Sequence, residues 1–195
     1  MPSSASFVAG RPLGEVPFAF LDTETTGLSP RTGGRVCEVA VVCVRGGREV
    51  SRFSSLVNPE TPISYGAMMV HGISDEMVEQ EPTFSELADE LHAQLDGKVL
   101  VAHNAQFDVG FLQAEFTRLE RVMPVVPVVC TLRLARRHFK FPSNKLGSIA
   151  EALGVKSAVA HRAAADTDML RRIFEHFLKT LDAKGVRTLE DLLKS

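Results

Sequence analysis

The sequence predicts an α/β fold, a mixed five-stranded sheet flanked by helices, and three observations carry that expectation. Five short apolar runs, at residues 18–21, 36–44, 50–57, 99–102 and 125–130, have the length and composition of buried strands. Polar, turn-rich segments join the first three, whereas a helical pattern separates the last two, so an antiparallel meander is followed by a parallel crossover. From residue 132 onward the apolar residues recur at helical spacing.

Taken in order, residues 1–16, with their Pro, Ser and Gly, read as a loose N-terminal arm, and one domain covers 17–195. The first strand stops at Asp22, where Thr-Glu-Thr-Thr-Gly-Leu-Ser-Pro begins a loop. Gly46-Gly47 between the second and third runs is a hairpin signal. Thr83 and Glu86 have capping-box spacing and open an amphipathic helix that ends at Gly97. Asn104, a good N-cap type, opens the next helix, which carries Phe107, Phe111, Leu112 and Leu119 at roughly helical spacing. Further helices are expected at 132–139, at 146–153 with Gly154 as the stop, at 163–181 and at 189–193.

At 195 residues, 45% hydrophobic and 24% charged, the chain can bury one sizeable core and is too apolar for disorder. No stretch approaches the roughly eighteen unbroken apolar residues of a membrane helix, and the start of the chain lacks the basic and apolar regions of a signal peptide. A cytoplasmic protein with no membrane partner is expected. Cys37, Cys43 and Cys130 are odd in number and lack C-x-x-C spacing, so they read as small core residues. The net charge of −2 excludes binding to nucleic acid by overall basicity. Basic residues are nevertheless concentrated at Arg133, Arg136, Arg137, Lys140 and Lys145, with no acid among them.

Three acidic motifs point to chemistry. Asp22-Thr23-Glu24 places two carboxylates on one side of an extended chain at the exit of the first strand. Such a pair must take up a proton or bind a cation, and oxygen-only ligands favour Mg²⁺ or Mn²⁺. Alone, the pattern is more commonly an N-cap or a solvated turn. In His103-Asn104-Ala105-Gln106-Phe107-Asp108 a strand gives way to a helix start, with Asp108 one turn inside. In His161-Arg162-Ala163-Ala164-Ala165-Asp166 three alanines leave room for close approach, and His161 precedes the helix. Each acid lies at a strand exit or a helix start, where an α/β sheet gathers its ligands, so the three together carry more than any one.

The motifs D-T-E-T-T-G-L-x-P, H-N-A-x-F-D-x-x-F-L and H-R-A-x-x-D resemble those of the DnaQ-like 3′–5′ exonucleases, in their histidine-bearing DEDDh branch. The segment from Val70-His71-Gly72-Ile73 to Met77 is also similar to that family, and the likeness runs from about Phe18 to Leu170. The resemblance implies a ribonuclease H-like fold and a single exonuclease domain over 17–195. It makes Asp22, Glu24, Asp108 and Asp166 the ligands of two divalent cations, Mg²⁺ or Mn²⁺, and His161 the general base. Four carboxylates at about −4 balance two such cations, the arrangement needed for two-metal phosphodiester hydrolysis. A neutral histidine can then accept the proton of the attacking water.

The same resemblance suggests substrate contacts. Thr23, Thr25, Thr26 and Gly27 lie where small residues meet the terminal sugar, and Leu28 where a side chain wedges between bases. Met68, Val70, His71 and Ile73 would supply an apolar wall, and Asn104 and Phe107 would flank the scissile phosphate, although Phe107 suits a core role equally. The basic run at 133–145 fits either a solvated helix face or a track for the strand upstream of the cut. His92, His138 and His176 have no partner motif, and Asp168 lies about 200° around the helix from Asp166, too far to share its site. Thr167 departs from the family pattern, in which Ala is common.

The expected activity is metal-dependent 3′–5′ hydrolysis of single-stranded or frayed DNA ends to nucleoside 5′-monophosphates, in proofreading or repair. A DNA polymerase is the candidate protein partner, although little chain follows the last long helix to form a polymerase-binding tail. The alternatives are an RNA-trimming enzyme of the same branch and a non-catalytic nucleic-acid-binding or polymerase-docking module, against which the full set of carboxylates argues.

Overall fold

The computed structural model describes residues 10–155 and 161–195. Its centre is a five-stranded sheet of order β3-β2-β1-β4-β5, comprising β1 (Phe18–Thr25), β2 (Val36–Arg45), β3 (Arg48–Leu56), β4 (Val99–Ala102) and β5 (Val128–Cys130). β1, β2 and β3 pair antiparallel, while β1–β4 and β4–β5 pair parallel, so the sheet is the mixed one expected. The helices are α1 (Tyr65–His71), α2 (Asp75–Val78), α3 (Phe84–Leu95), α4 (Gln106–Arg118), α5 (Thr131–His138), α6 (Leu146–Ala152), α7 (Ala163–Asp182) and α8 (Leu189–Lys194). None of the described helices is long and apolar enough to cross a membrane.

The period-2 alternation of the central strands divides the core between two faces. Phe18, Phe20, Val42 and Val44 meet Ile173, Phe174 and Phe177 of α7 on one face. Ala19, Leu21, Val39, Val41 and Cys43 meet α3 and α4 on the other, with Phe84, Phe111 and Phe116. Phe174 sits edge-on to both Phe18 and Phe20, at ring separations of 5.2 and 5.5 Å. Each such buried ring contributes about 1.5–3 kcal/mol by leaving water. Burial on both faces makes β1 the rigid base from which the acids of its C-terminal end project.

Several boundaries differ from the sequence reading. β1 continues through Asp22, Thr23 and Glu24 to Thr25, because β2 pairs with it along its whole length, Asp22 opposite Ala40 and Glu24 opposite Glu38. β5 is limited to three residues, with Val125 92% exposed, since Pro124 and Pro127 cannot donate to a ladder. α4 starts at Gln106 from Ala105, and Asn104 is not its N-cap but lies in the left-handed region at φ 60°. α1 and α2 were not anticipated, being too short to show a period, although Ser64 caps α1 and Gly72 ends it at φ 73°. Cys37 and Cys43 are core residues as expected, whereas Cys130 is only half-buried.

Residues 1–9 of the expected loose arm lie outside the described residues. Residues 11–16 are tied down: Leu13 N–H donates to Arg187 O at 3.0 Å, Leu189 N–H donates to Arg11 O at 3.0 Å, and Val16 is buried.

Candidate active site

The ends of β1, α4 and α7 converge. Carboxylate oxygens of Asp22, Glu24 and Asp166 lie within 4.8 Å of one another. The even-numbered side of β1 supplies Asp22 and Glu24, and the first turn of α7 packs on that side and supplies Asp166. Asp108 arrives from α4, on the opposite face. Its Oδ1 accepts from Thr23 N–H at 3.1 Å and from Thr23 Oγ1 at 2.8 Å, so it is fastened beside the trio rather than within it.

Electrostatics show what this costs. Burial raises the Asp22 carboxyl well above its ordinary range, and the charges of Asp108, Glu24, Asp166 and Glu38 raise it further. Burial, then Asp166, Glu38 and Asp108, push Glu24 up to about 8, only partly offset by Arg162. Asp108 is raised by burial against its hydrogen bonds from Thr23, and Asp166 is raised chiefly by burial. Converging acids held in this state gain from a cation or a proton, and their hard oxygen donors suit divalent ions such as Mg²⁺ or Mn²⁺. The residues therefore fit such a metal, with Asp22, Glu24 and Asp166 as the clustered ligands and Asp108 adjacent.

His161 is exposed at the entrance to α7, at φ 59°, and its backbone N–H donates to Asp166 Oδ2 at 3.2 Å. Of the four non-glycine residues in the left-handed region among the described residues, His161 touches Asp166 and Asn104 precedes the helix that carries Asp108. Backbone strain of this kind is retained where surrounding structure enforces it.

The remaining sequence candidates divide. Thr23 is buried, with its hydroxyl and N–H engaged by Asp108, so it positions a carboxylate rather than facing a substrate. Thr25 and Thr26 are also buried: the Thr25 hydroxyl donates to Gly27 O at 2.7 Å, and Thr26 Oγ1 accepts from Arg35 N–H at 3.0 Å. These bonds brace a loop whose tip leaves Gly27 half-buried and Leu28 91% exposed. Asn104, exposed, and Phe107, half-buried against Phe111 at 4.8 Å, share an open groove of about 600 Å³ with Leu28. Met68 is half-buried on α1 and Val70 exposed, but Ile73 is fully buried and belongs to the core.

His71 also turns inward. Its Nδ1 accepts from Ile73 N–H at 3.0 Å, so Nε2 carries the proton and donates to Thr25 O at 3.3 Å. Burial lowers its pKa, and the neutral ring pins α1 to the end of β1 rather than forming a wall. Asp168 is bound by Arg52 at 2.8 and 3.0 Å and takes no part in the cluster, as its place on the helix requires.

Two supporting groups escaped sequence reading. Glu38, buried on β2, accepts from Arg162 Nη2 at 2.7 Å and from Ala163 N–H at 2.9 Å, fixing the start of α7. Glu115, buried on α4, accepts from Arg35 Nε at 2.9 Å and from Val36 N–H at 3.1 Å, anchoring the Leu28 loop to the helix that carries Asp108. Each acid sits at a core-facing position of its element, and an acid in an apolar stripe is the only signal that could have marked it.

Comparison with known proteins places the chain in a family. The family described as Exonuclease matches residues 19–174. The chain is 35% identical over 176 residues to the 3′-5′ exonuclease DinG of Bacillus subtilis, covering 90% of this chain and 19% of that protein. It is 37% identical over 163 residues to the PolC-type DNA polymerase III of Oceanobacillus iheyensis, covering 82% and 11%. It is 34% identical over 193 residues to a DNA polymerase III subunit epsilon-like protein of Rhodobacter capsulatus, covering 96% and 27%. The chain thus spans under a third of each relative. Exonuclease X in complex with 5′ overhanging duplex DNA superposes with a TM-score of 0.69 at 28% identity, covering 91% of this chain and 98% of that one. The nuclease domain of 3′hExo, a DEDDh family member bound to rAMP, superposes with a TM-score of 0.72 at 18% identity, covering 85% and 92%, and shares the fold. Since the family match extends over well more than half of its length, this chain belongs to the exonuclease family.

Proposed function

We propose that the protein is a metal-dependent 3′–5′ exonuclease that removes nucleoside 5′-monophosphates from single-stranded or frayed 3′ ends, with DNA as the favoured substrate. The observation that carries this is the convergence of Asp22, Glu24 and Asp166 within 4.8 Å, with Asp108 fastened beside them and His161 at the mouth.

Asp22, Glu24, Asp108 and Asp166 would hold two divalent cations, which supply a more acidic attacking water and offset charge on the departing 3′ oxygen. His161, exposed and anchored through its backbone to Asp166, takes the water's proton. Leu28 meets the terminal bases, and Asn104 and Phe107 line the groove that receives the last nucleotide. Exonuclease X bound to duplex DNA and the PolC-type DNA polymerases support DNA as the substrate, and the polymerase relatives favour proofreading or repair as the setting. The polymerase and epsilon-like relatives support a DNA polymerase as partner.

The test is a 5′-labelled oligonucleotide incubated with the protein in Mg²⁺ or Mn²⁺, with EDTA and Asp108→Ala as controls, on DNA and RNA of matched sequence. A shortening ladder lost in both controls and faster on DNA is expected. Internal nicks, or cleavage insensitive to chelator, would overturn the mechanism, and a faster RNA ladder would reassign the substrate.

A further inference from the structure

A second groove adjoins the Leu28 groove at the start of α4. It has a volume of about 660 Å³ and runs between the first turn of α4, β5 and α5. Val109, Val128 and Leu132 line it, together with Arg133, Arg136 and Arg137. Residues 133, 136 and 137 stand three and four apart and so share one face of α5, within about 6 Å along its axis. The opposite face is fixed by Leu134 and Ala135, both buried. All three arginines are exposed, and among the described residues none is paired with a carboxylate. No acidic residue occurs from 131 to 150, in a chain whose net charge is −2. Positive charge is therefore concentrated on this groove against the sign of the whole molecule.

The groove is also placed for a purpose. Asn104 and Gln106 line both it and the Leu28–Phe107 groove, so the two meet around the start of α4. β5 is the outer strand of the sheet on this side.

We propose that the α5 groove takes the sugar–phosphate backbone of the single strand leading to the 3′ end, as a sequence-blind contact separate from the catalytic acids. The occupant follows from the charge: guanidinium groups pair with phosphates in forked geometry and stack on bases, and their apolar stems lie along a floor of valine and leucine. The inference rests on the exonuclease reading above and adds to it a preference for long strands over short ones.

The experiment compares the 195-residue chain with its Arg133→Gln/Arg136→Gln and Arg133→Glu/Arg136→Glu variants. Binding of a fluorescent thymidine oligomer of about twenty nucleotides is followed by anisotropy in Ca²⁺ across a salt series, which requires no turnover. Because each phosphate contact on a single strand contributes about 0.7 to the slope of log K against log salt, the glutamine variant should lose about 1.4 from that slope. Its affinity at low salt should fall about tenfold, and the glutamate variant's further. Hydrolysis of the p-nitrophenyl ester of thymidine 5′-monophosphate, too short to reach α5, reports the acids alone. The KM for the oligomer should rise at least tenfold more than any change in ester hydrolysis.

An unchanged salt slope overturns the groove assignment, and so does equal damage to ester and oligomer, which places the effect at the acids. Tighter binding of an acidic peptide than of the oligomer reassigns the groove to a protein. Failure to hydrolyse the ester in any metal sinks the exonuclease reading while the anisotropy still decides the groove.

Discussion

Thr23 holds Asp108 twice, through its backbone N–H at 3.1 Å and its hydroxyl at 2.8 Å, both to Oδ1. The residue between two clustered acids on β1 thus positions a third acid that comes from the other face of the sheet. Thr23→Val keeps the shape and the N–H bond and removes the hydroxyl. It should cost about 1–3 kcal/mol in transition-state stabilisation, since the bond is to a charged acceptor. The Mg²⁺ concentration for half-maximal activity should rise while secondary structure by circular dichroism stays unchanged. An unaltered metal dependence would detach Thr23 from the site.

The raised pKa of Glu24 sets the sign of a pH effect in metal-free protein. Folded Glu24 keeps its proton up to about 8, whereas the unfolded chain loses it near 4.5. The folded state binds more protons in that window, so stability falls as pH rises through it and levels off above. His71 and His103, whose pKa values burial lowers, act in the opposite direction near neutrality. The clean quantity is therefore the melting difference between Glu24→Gln and the unaltered protein in EDTA. It should grow in favour of the variant from about pH 5 to pH 8 and shrink on adding divalent cations, which only the unaltered cluster binds fully. A difference independent of pH refutes the burial account.

His161 is exposed and, among the described residues, hydrogen-bonds Asp166 only through its main-chain N–H. His161→Ala should consequently lose rate by a factor on the order of 10² with metal affinity largely kept. Full activity across neutral pH in the variant would assign the base elsewhere.

Glu38 accepts from Arg162 and from Ala163 N–H at the start of α7, and its side chain is 4% exposed against 40% for that of Arg162. Glu38→Gln keeps the shape but weakens charge-assisted bonds on a half-exposed partner, at about 1–2 kcal/mol of stability. A fall in melting temperature accompanied by reduced kcat, each partly restored in Glu38→Asp, is expected. Reduced stability with unchanged kcat would confine Glu38 to the fold.

Leu28, at 91% exposure, packs against little. Leu28→Ala should leave thermal stability within about 0.5 kcal/mol while slowing removal of a paired 3′ nucleotide more than a mismatched one. Equal rates on the two ends would deny it a part in separating bases.

The local pattern of the chain carried most of the elements and the four acids. Alternation and short apolar runs marked the strands, capping chemistry marked the start of α3, and the D-x-E, H-N-A-x-F-D and H-R-A-x-x-D motifs marked the carboxylates. What escaped was decided by pairing across distance. β1 extends past Asp22 because β2 hydrogen-bonds to it, and neither segment reveals that register alone. Asn104 has the composition of a helix cap but a left-handed backbone, and His71 has the look of a wall residue but a ring turned to Thr25 and Ile73.

The sequence by itself determined which residue types stand at strand exits and helix starts, because periodicity and turn chemistry act within a few residues. Only the tertiary structure decided that Asp22, Glu24 and Asp166 crowd one another while Asp108 is fastened to Thr23, and that Glu38 and Glu115 lie inside as anchors. Those relations are set where α4 and α7 pack on opposite faces of one sheet, and burial and charge at such a junction depend on partners some 80 to 125 residues away along the chain.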